Sequence, residues 1–265
     1  MVTITLQKPS LAELYSYIEQ TQAGYWNIFR GQPDAEFNLT PGLYRNKPPF
    51  HTDVQTGWKK DFERYESNMV SDFFNRALPY LPPFERSFRN DRVICQHYGV
   101  PTQLLDWSND PLVGLFFAIQ GFNPDKLNRN AKKRNEVGYE TEKDGAFFMI
   151  RINAFANYNS TGLDSNDDGD LLAMNPPIID ARVAAQRSVF TFQKYIEQNE
   201  EYVPIDKRDL GKDYNLVKIV IPGDMKPELH KLLVHIGIDR SFIFPGLDGI
   251  GQTIKLKSYE PALFV

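Results

Sequence analysis

Apolar residues recur along this chain with periods that change from helical to alternating, and the changes mark out its elements. Behind Ser10-Leu11-Ala12-Glu13, where serine and glutamate sit at capping-box spacing, Leu11, Leu14, Tyr15 and Ile18 repeat every three or four residues. That pattern predicts a helix over Leu11 to Gln22, followed by a strand over Tyr25 to Arg30 whose aromatic and β-branched residues suit a sheet. Trp58, Phe62, Tyr65, Met69 and Phe73 predict a long amphipathic helix from Trp58 to Leu78, stopped by Pro79, Pro82 and Pro83. A further helix over Phe84 to Tyr98 ends at Gly99 with Pro101 just beyond.

Thr102 to Leu105 is short and extended, and Asp110-Pro111 supplies an N-cap and a first-turn proline for a helix through Gln120. Ala146 to Ile152 and Leu216 to Ile221 read as strands, Asp224 as the cap of a helix to Ile236, and Ser241 to Phe244 as a last short strand. Gly246 to Gly251 is expected to shape a turn or to cap a closing helix. Residues 123–143 are polar without apolar periodicity and read as a loop insertion. The expected architecture is one α+β domain spanning residues 1–265, a central sheet flanked by helices with an irregular insertion. Its core would cover about 25–254, with 58–98 as a helical insertion.

Composition narrows the function classes. A formal charge of -4 argues against a general nucleic-acid surface, and Lys132-Lys133-Arg134 reads as a solvated loop. Leu115 to Ile119 is too short an apolar run for a membrane span, and the opening residues lack a basic-then-apolar signal. The single cysteine, Cys95, fits a reducing compartment, so a cytoplasmic protein is expected. Asp164 to Gly169 begins like a calcium loop, but Asn175 stands where a bidentate glutamate is needed, and a solvated turn is expected.

The chemistry concentrates in Gln96-His97-Tyr98-Gly99-Val100-Pro101-Thr102-Gln103-Leu104-Leu105-Asp106-Trp107. Amides, an imidazole and a carboxylate this dense mark either a polar pocket or a hydrogen-bonded scaffold, because each buried polar group needs a partner. As a pocket, Arg30 at a strand end beside Gly31 would grip a phosphate, and Trp107 or Tyr98 would stack on a base. Gln32, Gln96, Thr102 and Gln186 would complete the ligand-binding set, with His97 and Asp106 as the acid–base pair. As a scaffold, the same residues would be the structural polar core of a noncatalytic module that binds a protein partner. A third reading, metal-dependent hydrolysis, would use His97, Asp106 and an acid from Asp164 to Asp170. The Gly-x-Ser-x-Gly elbow is absent, and Gly246-Leu247-Asp248-Gly249-Ile250-Gly251 lacks dinucleotide-fingerprint spacing.

Together with Phe29-Arg30-Gly31-Gln32, Gln186 to Phe190 and Phe244-Pro245-Gly246-Leu247-Asp248-Gly249, the stretch resembles the FRG domain family. The resemblance spans roughly Tyr25 to Ile254. Family members usually carry arginine and threonine where this chain has Gln103 and Ser108. A more distant resemblance joins Phe29-Arg30-Gly31, Thr102 to Ser108 and Gly114-Leu115-Phe116-Phe117-Ala118 to ADP-ribosyltransferases of the arginine-serine-glutamate type, whose Ser-Thr-Ser and Glu-x-Glu motifs are missing here. These resemblances imply a nucleotide-like ligand, with NAD as the candidate cofactor, and a setting such as bacterial defence.

Overall fold

A computed structural model describes residues 1–19, 26–48, 57–81, 83–120, 143–152, 171–193, 195–198, 201–210 and 215–259. Its centre is a seven-stranded mixed sheet flanked by helices, the α+β class expected. In chain order the elements are β1 (Val2–Thr5), α1 (Leu11–Glu19), β2 (Trp26–Gln32), α2 (Gly57–Ala77), α3 (Phe88–His97), β3 (Leu104–Ser108), α4 (Pro111–Ala118) and β4 (Gly145–Ile152). There follow β5 (Leu171–Met174), α5 (Ala181–Ala185), β6 (Ser188–Gln193), the hairpin β7 (Glu197–Gln198) and β8 (Glu201–Tyr202), β9 (Asn215–Ile221), α6 (Lys226–His235), α7 (Arg240–Ile243) and α8 (Leu247–Tyr259). The strand order is β1-β9-β4-β2-β3-β6-β5, with β1 parallel to β9 and every other pair antiparallel.

Alternation along β2 assigns its two faces. Phe29 joins Phe147, Ile219, Leu115 and Leu229 in a core covered by α1, α4 and α6. Ile28 joins Phe148, Ile150, Leu105 and Trp107 on the opposite face, which loop residues Ala35, Leu39 and Ile205 cover. Arg30 and Gln32, two and four residues after Ile28, share its face by the period of two.

Local chemistry fixes the ends of the elements near the site. Asp110 Oδ1 accepts the Leu112 amide at 2.9 Å and Pro111 opens α4. Gly99, at φ +84, closes α3, with the amides of Gly99 and Val100 returning to Gln96 and Cys95. At α1 the capping box is shifted. Glu13 N donates to Ser10 Oγ at 3.4 Å, but the Glu13 carboxylate reaches back to the Gln7 and Lys8 amides.

Other expectations are corrected. Ser241 to Phe244 lies mostly in helix α7, because Asp239 Oδ1 accepts the Phe242 amide at 2.9 Å and so starts a turn where a strand was expected. Asp224 sits in a 3-10 turn, and α6 begins at Lys226 without a side-chain cap. Helix α3 begins later than the expected Phe84, since Ser87 is the N-cap and accepts the Asn90 amide at 3.1 Å. Gly246 to Gly251 lies at the start of α8. Almost all of 123–143, with Lys132 to Arg134 and Asp164 to Asp170, falls outside the described residues. Among the described residues no helix is long and apolar enough to cross a membrane.

Candidate functional site

The strand β2 delivers Arg30 where its pairing with β3 stops. Only Phe29 and Ser108 are paired across that gap, and Arg30 Nη1 donates to the Asp106 carbonyl at 2.5 Å, a side-chain rung in place of a ladder bond. The Asp106 carboxylate lies 3.6 Å from the same guanidinium. Burial lowers the pKa of Arg30 from its ordinary value, the Asp106 carboxylate opposes that, and the charge of Arg45 adds to it. Arg30 remains a cation at neutral pH.

From Asp106 a hydrogen-bonded chain returns to the end of α3. Gln96 Nε2 donates to Asp106 Oδ2 at 3.0 Å, Thr102 Oγ1 donates to Gln96 Oε1 at 2.9 Å, and Leu104 N donates to Thr102 Oγ1 at 3.2 Å. His97 points elsewhere. Its Nε2 meets Asp180 Oδ2, the N-cap of α5, at 2.6 Å, and burial lowers its pKa while Asp180 pulls the other way. The His97 and Asp106 side chains therefore have separate partners.

The predicted stacking residues are engaged elsewhere. Trp107 is buried in the core, with Nε1 donating to Thr191 Oγ1 at 2.8 Å. Tyr98 is exposed and stacks on Phe73 at 5.9 Å between centroids. Gln186 Nε2 donates to the Ile243 carbonyl at 3.2 Å, and its own carbonyl accepts from Ser108 Oγ at 2.7 Å. Gly31 serves a close approach of backbones: a Cβ there would lie 2.1 Å from Ala118 N and Gly114 O of α4.

Of the predicted set, Arg30, Gly31 and Gln32 line one cavity of about 670 Å³. Its walls come from residues that sequence reasoning missed. Arg45 and Lys47 add positive charge, Phe37 and Glu201 stand at exposed positions, and Tyr44, Phe62 and Tyr202 form an aromatic side. Tyr44 and Tyr202 stack at 4.3 Å, and Phe62 meets Tyr44 edge-on at 5.1 Å. Burial raises the pKa of both phenols, so they stay neutral. Gln32 Nε2 donates to Asn38 O at 3.2 Å, which leaves its buried Oε1 without a partner, as is the buried Nε of Arg30.

Behind the aromatic wall lies a second buried network. Glu66 of α2 accepts Arg92 Nε at 2.7 Å, Gln103 Nε2 at 2.9 Å and Gln103 N at 2.8 Å, and Tyr44 Oη reaches Gln103 Oε1 at 3.4 Å. Gln103, standing where arginine was expected of the family, thus takes part in a site to which Arg92 brings the guanidinium. Residues 26–135 match the FRG domain family. The match includes Arg30, Gln32, Tyr44, Glu66 and the Gln96–Trp107 stretch, while strands β1, β4, β5, β6 and β9 of the sheet, and the Tyr202 side of the cavity, lie beyond it. No curated protein and no solved structure matches the chain. Among the described residues no group of three or more His, Cys, Asp or Glu side chains is placed to hold a metal ion.

Proposed function

We propose that the cavity over β2 binds a nucleotide-like or other phosphorylated small molecule, and that the polar stretch from Gln96 to Trp107 is the scaffold that holds its floor. The supporting observation is the pairing of three cations, Arg30, Arg45 and Lys47, with an aromatic side in one cavity of about 670 Å³, within the range of small-molecule sites. In this reading Arg45 and Lys47 take the phosphate, Phe37 stacks on the ring, and the unpartnered Gln32 Oε1 accepts a ligand N–H or O–H. Arg30 supplies charge from below, already fixed by Asp106. His97 and Asp106 act as positioning residues. An ADP-ribosyltransferase-like activity would need its acid from elsewhere, with NAD the first ligand to try.

A noncatalytic protein-binding module remains the second reading, favoured by the internal pairing of Gln96, Thr102 and Asp106. We place either protein in the cytoplasm, where a thiol such as Cys95, buried and with its pKa pushed up to about 12, stays reduced and inert. Calorimetric titration with NAD, ADP and ATP separates the readings. Wild type should bind at least one of them, and Arg45→Ala should weaken it about tenfold or more, the loss expected for one charge-assisted hydrogen bond. Absence of binding by all three, or equal binding by Arg45→Ala, would remove the cavity reading.

A further inference from the structure

The segments Gln186 to Phe190 and Phe244 to Gly249 play no part in the cavity, yet the structure brings their edges together. The Gln186 amide ties the end of α5 to the Ile243 carbonyl at the end of α7. That contact sets two guanidiniums on one ring: Arg182 Cζ lies 4.9 Å and Arg240 Cζ 4.7 Å from the Phe244 centroid.

Two like charges gathered on one ring call for a counter-charge, and the nearest acids in sequence are already engaged. Asp180 caps α5 and pairs with His97. Asp239 accepts the Phe242 amide and the Ser241 hydroxyl, at 2.9 and 2.6 Å. Among the described residues neither Arg182 nor Arg240 has a carboxylate partner. Arg182 Nε is buried with no hydrogen-bond partner, and Arg240 Nη1 reaches only Gln120 Oε1, at 3.5 Å. Cation–π contact with Phe244 offsets part of the cost and leaves the buried Arg182 Nε–H without an acceptor.

We propose that Arg182 and Arg240 form a second ligand site, separate from the cavity over β2, that takes a doubly charged tetrahedral oxyanion, a phosphate group. Two guanidiniums match its charge, and their forked donors match its oxygens. The ring of Phe244 fixes both forks in place, and Gln186 holds the two short helices that carry them. The same chemistry is offered by free inorganic phosphate and by a phosphate monoester on a larger molecule.

The test is NMR of the Arg182 Nε–H during titration with inorganic phosphate, and in parallel with O-phosphoserine and acetate, at ionic strength held constant with chloride. The resonance is assigned from its loss in Arg182→Lys. Saturable movement of that resonance with phosphate and not with acetate is the expected result. A similar midpoint for phosphate and phosphoserine points to free phosphate, and a lower one for phosphoserine points to a monoester. Arg240→Met should raise the phosphate midpoint about tenfold or more, the loss of a charge-assisted contact, while Arg45→Met leaves it unchanged. Phosphate-dependent rise in Tm should be smaller in Arg182→Met and Arg240→Met than in wild type, provided both retain the wild-type circular dichroism. No saturable shift in wild type, or an unchanged midpoint in a folded Arg240→Met, overturns the proposal.

Discussion

Removing the Glu66 carboxylate should destabilise the protein more than almost any other single change in residues 26–135, the stretch similar to the FRG domain family. Glu66 is 1% and Arg92 5% exposed, and three donors converge on that one carboxylate. In Glu66→Leu the guanidinium loses its counter-charge, which costs about 3–5 kcal/mol for a buried pair broken on one side. The Gln103 amide N–H is left without its acceptor as well, another ~1–3 kcal/mol. The two do not add fully, because they share one group. Arg92 also keeps the Phe88 carbonyl at 3.1 Å and the Phe88 ring at 3.3 Å, which moderates the loss. The net expectation is about 4 kcal/mol, read as a fall of about 1 M or more in the urea midpoint at an m-value near the upper end for such chains. Glu66→Leu/Arg92→Met, which removes both charges, should recover part of that loss. A Glu66→Leu stability within about 1 kcal/mol of wild type, or a double variant no more stable than Glu66→Leu, would refute the reasoning.

Acid should weaken the fold through His230, which is 6% exposed and whose pKa burial pushes down to about 4, against the pull of Asp239. Above pH 6.5 both states leave it neutral; between 6.5 and about 4 only the unfolded chain takes the proton, so stability falls as pH drops through that window. The total is about 3 kcal/mol, and urea unfolding of His230→Gln should lose that part of the pH slope; an unchanged slope contradicts the assignment. Gly31→Ala forces a Cβ to 2.1 Å from α4 backbone and should cost more than about 3 kcal/mol or prevent folding, whereas Gly251→Ala, with open space around it, should gain about 0.5–1 kcal/mol in thermal unfolding. Thr191→Val takes the acceptor from Trp107 Nε1 and should cost about 1–3 kcal/mol in urea; a smaller effect means the indole finds another partner.

The sequence announced the scaffold better than the cavity. Capping chemistry is local, so Asp110-Pro111 and Gly99 marked real helix ends, and the apolar run of β4 marked a strand buried on both faces. The density of polar residues from Gln96 to Asp106 was a true signal of mutual hydrogen bonding. The same stretch could not say that Trp107 would turn into the core or that His97 would face Asp180, since each choice is set by a partner more than eighty residues away. Cavity walls were hidden for the same reason: Tyr44, Arg45 and Tyr202 are unremarkable in sequence and meet only because the loop after β2 and the β7–β8 hairpin fold over one strand. Ser241 to Phe244 misled because four residues carry no readable period, and Asp239 decided the matter from outside them.

The position of β2, fourth of seven in the sheet, gives the cavity two clocks. Its floor residues Arg30 and Gln32 pair with Phe148 and Ala146 of β4 inside the sheet, so the floor is expected to open only with the sheet. Its rim hangs on a loop and on a hairpin of two-residue strands, and exchanges through small local openings. A bound ligand would then slow the rim and leave the floor unchanged, so that affinity is governed by how much order Tyr44, Arg45 and Tyr202 must gain, and not by any movement of the arginine beneath them.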